Sequence, residues 1–343
     1  MRKTLVKLVA GIACAAMLLV GCGSSSGAGG GTVSKPVELR FNVTQSESSV
    51  WMVCAEEFKR QVEEKTEGRY KVSIYANEQL SSGDQVKGVE LLLSGTTDVD
   101  MHSTMIIASI EPKLGAVSMP WLFNGPEDVD RIIFNDGEGG KMIAKLVEAK
   151  GCHVLGLCEN GFRQLTNSKR PVKTLDDMKG LKIRIPSTPQ YTRLYQLLGA
   201  DPITMSWSEV FTALQQGAVD GQENPYTFMK AGKIQEVQKY VTEWNYAYDP
   251  LVLSVSDKIW NSLSDEDKAI FEQAGKEACA MQVSASRELE DQIRKEFEDA
   301  GMEINTLEPE EMEAFKAAVA LVYDEFREEL TDEVLNALGY EFE

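Results

Sequence analysis

Two stretches decide how this chain folds: Met178-Lys179-Gly180-Leu181-Lys182-Ile183-Arg184-Ile185-Pro186, and the run from Ser206-Trp207-Ser208-Glu209-Val210-Phe211 to Asp220-Gly221-Gln222-Glu223-Asn224-Pro225. In the first, apolar Ile183 and Ile185 alternate with Lys182 and Arg184, the period of two that a strand imposes, and Pro186, with no N–H to donate, ends it. Such a strand aims the Arg184 guanidinium from a rigid support. In the second, Asn224 precedes proline, which biases its backbone toward extended geometry and leaves its side-chain amide free to donate.

Outward from there, the hydrophobic period switches repeatedly between two and about 3.6. Leu39, Phe41 and Val43 share one face of a strand over residues 37–44, and Val53, Phe58 and Val62 then recur at helical spacing up to Lys65. Further short strands are expected at 70–75, 99–101, 153–157, 182–185, 203–205 and 251–255, most of them separated by helical stretches. Alternation of this kind implies α/β layers with largely parallel sheets. The last third is helical: Ser264 is an N-cap three residues before Asp267 for a helix reaching about Ala300, and Pro309 opens another run to Leu330.

The chain has 343 residues and a formal charge of −19, a length that suits two domains and a charge that excludes binding to nucleic acid through its phosphates. Residues 1–21 read as a signal peptide: Arg2, Lys3 and Lys7 precede an uncharged run, Leu8 to Val20, too short to span a bilayer. The run ends Leu19-Val20-Gly21-Cys22, which resembles a bacterial lipobox and makes Cys22 the expected lipidation site. Residues 22–35 then form a Gly/Ser-rich tether, so the membrane is met only through a lipid anchor, on the periplasmic or cell-surface face. Cys54, Cys152, Cys158 and Cys279 are too few for a disulfide framework; buried thiols are expected, with a Cys152 to Cys158 bridge as the alternative.

Traces of enzyme chemistry are scarce. His102 and His153 are the only histidines, with no Cys or second His at metal-ligand spacing, so no metal site is expected. Nucleophile-elbow, phosphate-loop and dinucleotide motifs are missing. Acid pairs such as Glu56-Glu57 and Glu310-Glu311 read as solvated helix surface.

The segment from Asn160-Gly161-Phe162-Arg163-Gln164-Leu165-Thr166-Asn167 through Asp220-Gly221-Gln222-Glu223-Asn224-Pro225, with Asn77-Glu78-Gln79-Leu80 and Met119-Pro120-Trp121-Leu122-Phe123 before it, closely resembles the DctP-type extracytoplasmic solute receptors of tripartite ATP-independent periplasmic (TRAP) transporters. The resemblance covers nearly the whole chain after the tether. It implies a two-lobed periplasmic binding protein fold with hinge crossover strands and a long helix spanning both lobes. The lobes are expected at 36–160 plus 250–288 and at 161–249 plus 289–343.

The resemblance also implies function: a small organic acid binds in the cleft and is delivered to separate small and large membrane subunits, with no cofactor and no catalytic group. At the matching positions, Arg184 grips the ligand carboxylate bidentately, Asn224 donates to it, and Arg163 contacts it or its neighbouring substituent. Trp207 and Tyr246 sit where aromatic rings flank the ligand. Gln45, Trp51 and Ser103, near the carboxyl ends of the first strands, are weaker additions from topology. Read without the resemblance, Arg184 and Arg163 make structural ion pairs, Asn224 stabilises a turn, and the aromatics are core. A hydrolytic enzyme and an adhesin or scaffold lipoprotein are the alternative functions. Candidate acids include C4-dicarboxylates, 2-oxo and 2-hydroxy acids, sugar acids, sialic acid and aromatic carboxylates; Trp51, Trp207 and Tyr246 favour a flat or apolar body.

Overall fold

The structure, a computed structural model, describes residues 35–340, so Cys22 and the signal and tether segments fall outside the described residues. The strands are β1 (Val37–Val43), β2 (Tyr70–Tyr75), β3 (Val99–Ser103), β4 (Cys152–Phe162), β5 (Gln164–Asn167), β6 (Lys182–Ile185), β7 (Asp201–Thr204), β8 (Gly221–Asn224), β9 (Tyr240–Glu243), β10 (Tyr248–Ser256) and β11 (Glu303–Thr306). They form two sheets, ordered β2-β1-β3-β10-β4 and β11-β9-β5-β8-β6-β7. Each sheet, with its flanking helices, is one lobe. Alternation does what it should in β1, where Leu39, Phe41 and Val43 are fully buried.

Two expectations are corrected. The sheets are mixed: β10 runs antiparallel to both β3 and β4, and β5 antiparallel to both β8 and β9. The chain path requires this, because it leaves the first lobe along β4 and returns along the neighbouring β10, so these two must run in opposite directions. Four strands, β5, β8, β9 and β11, also went unread. Gln164-Leu165-Thr166-Asn167 and Gly221-Gln222-Glu223-Asn224 are buried along their whole length yet polar, so no apolar period marks them.

The helix Asp265–Asp299 is 35 residues long and opens on Ser264, whose side chain accepts from the Asp267 N–H at 3.1 Å. Asp265, Glu266 and Asp267 complement the positive end of its dipole. Its first half places Phe271, Ala274 and Ala278 in the core of the first lobe with Phe41, Phe58 and Leu253. Its second half places Ile293 and Phe297 in that of the second lobe with Val210, Tyr226 and Val241. One helix thus belongs to both lobes. It lies flat on β4 because Gly275 faces Leu155, where a Cβ would come within 2.6 Å of the Leu155 Cβ.

The C-terminal helical run breaks into Pro309–Val319, Leu321–Leu330 and Asp332–Ala337. The last piece lies against the helix Glu138–Glu148, with Lys145 and Glu333 at 3.0 Å, so the chain's end touches the first lobe as well as the second. Cys54, Cys152, Cys158 and Cys279 are all buried free thiols. No helix among the described residues is long and apolar enough to cross a membrane.

Candidate functional site

Arg184 lies in β6 between β7 and β8, opposite Ile203 and Gln222. Its side chain is 3% exposed, and its Nε and Nη2 donate to the Met205 carbonyl at 3.1 and 2.7 Å. The Trp207 ring covers it, with Cζ 5.8 Å from the ring centroid. No carboxylate among the described residues comes within ion-pair distance of it. Burial, and then the nearby Arg163, lower its pKa to about 10 against the distant pull of Glu223, so it stays protonated at neutral pH. A buried cation without a counter-ion is costly, and the unused edge of its planar fork is a preformed seat for an anion.

Arg163 is just as buried but fully engaged. It chelates Glu223 through Nε and Nη2, the latter at 2.8 Å, donates from Nη1 to Asp249 at 2.8 Å, and reaches the Asn224 side-chain oxygen at 2.8 Å. Burial would lower its pKa, but Glu223 and Asp249 outweigh that and hold it well above the ordinary value. Three further hydrogen bonds tie the network down: Tyr246 donates to Glu223 at 2.6 Å, and Ser103 and Asn160 donate to Asp249 at 2.5 and 2.7 Å. Burial raises Asp249 above the usual carboxylate range despite Arg163.

Six of the eight expected ligand-binding residues, Trp51, Ser103, Arg163, Arg184, Trp207 and Asn224, line one cavity between the lobes. Met105, Ile106 and Phe228 add apolar wall, and the Trp207 and Phe228 rings meet at 4.5 Å. Trp51 is anchored by its Nε1 donating to Asn160 at 3.3 Å. Asn224 spends its carbonyl on Arg163, and one amide hydrogen goes to Gln222 at 2.6 Å. Tyr246 stands behind the cavity, in a cluster with Trp244, Tyr191 and Tyr195, and serves through Glu223. Gln45 is buried outside the lining, its backbone carbonyl accepting from the Asn77 N–H at 3.0 Å.

Sequence reasoning passed over Asn160, Glu223, Asp249 and Phe228. Glu223 and Asn160 sit inside the quoted motifs, and an acid directly before Pro250, at the entry to a crossover strand, was the available signal for Asp249. The cavity measures only about 20 Å³, and Ser208 of the second lobe donates to the Gly83 carbonyl of the first at 3.2 Å. A cavity of that size is smaller than any organic acid, so the site must widen before one can enter.

Residues 41–329 match the family described as bacterial extracellular solute-binding protein, family 7, named DctP. A TRAP periplasmic solute-binding protein from Ralstonia eutropha H16, solved with bound (S)-2-acetolactate, is 33% identical, with a TM-score of 0.84 over 88% of this chain and 98% of that one. The sugar acid binding protein DctPAm from Advenella mimigardefordensis, in complex with galactonate, is 31% identical with a TM-score of 0.84, covering 89% and 97%. The 2,3-diketo-L-gulonate-binding periplasmic protein YiaO of Escherichia coli is 31% identical over 269 residues, 78% of this chain and 80% of that protein. The matched region takes in most of both lobes, the cavity that lies between them and the whole long helix, and the chain belongs to the DctP family of TRAP transporter solute-binding proteins.

Proposed function

We propose that this protein captures a small organic acid by its carboxylate on Arg184, within the interlobe cavity, and hands it to TRAP membrane subunits. The observation that carries the reading is a buried guanidinium with no ion-pair partner, beside a second arginine whose carboxylates are already supplied. One unanswered arginine fits one carboxylate. The second hydrogen of the Asn224 amide supports the anion, and Trp51, Met105, Ile106, Trp207 and Phe228 cover the ligand's body. Asp249, held by donors from both lobes, is a candidate acceptor for a hydroxyl next to the carboxylate. Relatives with bound acetolactate and galactonate support that class.

The lobes close over the ligand by hinge motion at the β4 and β10 crossovers, and closure expels water, which strengthens every polar contact inside. No bond is made or broken, so the protein's task ends at release to the transporter. Cys22 carries the lipid that keeps it at the membrane outside the cytoplasm; Cys22→Ser should move it to the soluble fraction, and a variant still processed and membrane-bound counts against the anchor. Native mass spectrometry of freshly purified protein, followed by calorimetry with the co-purified acid, tests the central reading. A protein that binds none of acetolactate, erythronate, galactonate, succinate or a co-purified acid would refute it.

A further inference from the structure

Cys54, Cys158 and Cys279 come from three separate elements, the helix Trp51–Lys65, strand β4 and the long helix, and their sulfur atoms all lie within 4.8 Å of one another. They are 0%, 0% and 3% exposed, and the Cys158 thiol donates to the Cys54 sulfur at 3.5 Å. The backbone builds this proximity: a Cβ at Gly156 would sit 2.8 Å from the Cys279 sulfur, so a glycine there lets the long helix lay Cys279 against the strand. Three thiolates bound to one atom at about 2.3 Å stand about 3.5 Å apart in a pyramid and about 4 Å apart in a plane, both within the spacing already present. Carboxylate capture uses none of them.

The surroundings choose among ions. Sulfur ligands select thiophilic ions, and these three belong to the apolar core of the first lobe, with Phe58, Leu155, Phe271 and Ala278. Net charge buried there is costly. A divalent ion with three thiolates leaves one negative charge, whereas a trivalent ion leaves none. We propose that Cys54, Cys158 and Cys279 form a tris-thiolate site for a trivalent thiophilic metalloid of the arsenite class. The exchange balances without an oxidant: three As–O bonds of arsenous acid break, three As–S bonds form, and each thiol proton leaves with a hydroxide as water while arsenic remains trivalent. A groove of about 620 Å³ on the first lobe, lined by Leu155, Gly156, Cys279, Ala280 and Val283, leads to the cluster. Binding ties the long helix to β4 and to the first helix.

The test is arsenite titration of the reduced full chain, read by native mass spectrometry and thermal melting, with wild type beside Cys54→Ala, Cys158→Ala, Cys279→Ala and Cys152→Ala. Wild type and Cys152→Ala should each gain one arsenic less three hydrogens and melt at higher temperature on adding arsenite. The other three variants should lose that adduct and that shift, with folding checked by far-ultraviolet circular dichroism and by an unchanged response to the carboxylate ligand. An adduct retained by Cys158→Ala, one formed only after unfolding in urea, or tighter binding of Cd²⁺ than of arsenite would each overturn the assignment. If Cys158→Ala fails to fold, wild type treated with and without arsenite is freed of excess arsenite, opened in urea and labelled with maleimide; arsenite should protect three thiols that label in the untreated protein, fewer than three refuting the assignment.

Discussion

Replacing Arg184 with alanine removes one partner of a buried, hydrogen-bonded charge pair once ligand is present. Such truncations cost on the order of 2 to 5 kcal/mol, so carboxylate binding should weaken roughly 30-fold to several thousand-fold. The unliganded protein should hardly notice. Arg184 gives its two hydrogen bonds to one carbonyl, that of Met205, while its burial without a counter-ion works against folding. The melting temperature without ligand should therefore stay near that of wild type, and the rise caused by ligand should shrink. Arg184→Lys keeps the charge but loses the planar fork, so it should bind poorly as well. Calorimetry of wild type and Arg184→Ala, each with the acid and with its neutral amide, closes a double-mutant cycle that separates the arginine-carboxylate contact from general packing. Additive losses, with no coupling between the two changes, would show that Arg184 does not touch the carboxylate.

Arg163→Met should be a stability mutation first: it strands Glu223 and Asp249, both buried, and should cost about 3 to 5 kcal/mol by urea unfolding, against little for Arg184→Ala. Trp207 lies in the cavity wall, so saturating ligand should change tryptophan emission more in wild type than in Trp207→Phe, with Trp51→Phe as the control; equal changes would remove Trp207 from the contact surface. His102 is buried between Asp100 and Glu78, 2.7 Å from the latter; burial lowers its pKa, but the two acids prevail and raise it to about 10. Its contribution is complete below the unfolded value near 6.5 and is lost as pH rises through 10, so wild-type stability should fall over that window while His102→Gln, lower throughout, falls less. Parallel pH profiles for the two proteins would refute that role.

Where side chains alternate between core and solvent, the sequence was enough. Leu39, Phe41 and Val43 mark β1, Ser264 marks the start of the long helix, and Ile183, Ile185 and Pro186 place Arg184 on a short strand, because burial on one face leaves a period that local reading detects. The family motifs likewise named Arg163, Arg184, Trp207 and Asn224, and strand topology added Trp51 and Ser103, six residues that line one cavity. What local reading could not reach was partner choice. Nothing in the string Arg163-Gln164 says that its guanidinium is claimed by Glu223, 60 residues on, and by Asp249, 86 residues on, while Arg184 is left without a carboxylate. Polar strands buried on both faces carry no hydrophobic period, so β5 and β8, which bring those groups together, became visible only in three dimensions. The same holds for Cys54, Cys158 and Cys279, scattered along the chain and brought together where two helices meet one strand. Covalent neighbours set the period of each element, but the counter-ion of a buried charge is set by long-range packing, and only the tertiary structure decides which arginine remains for the ligand.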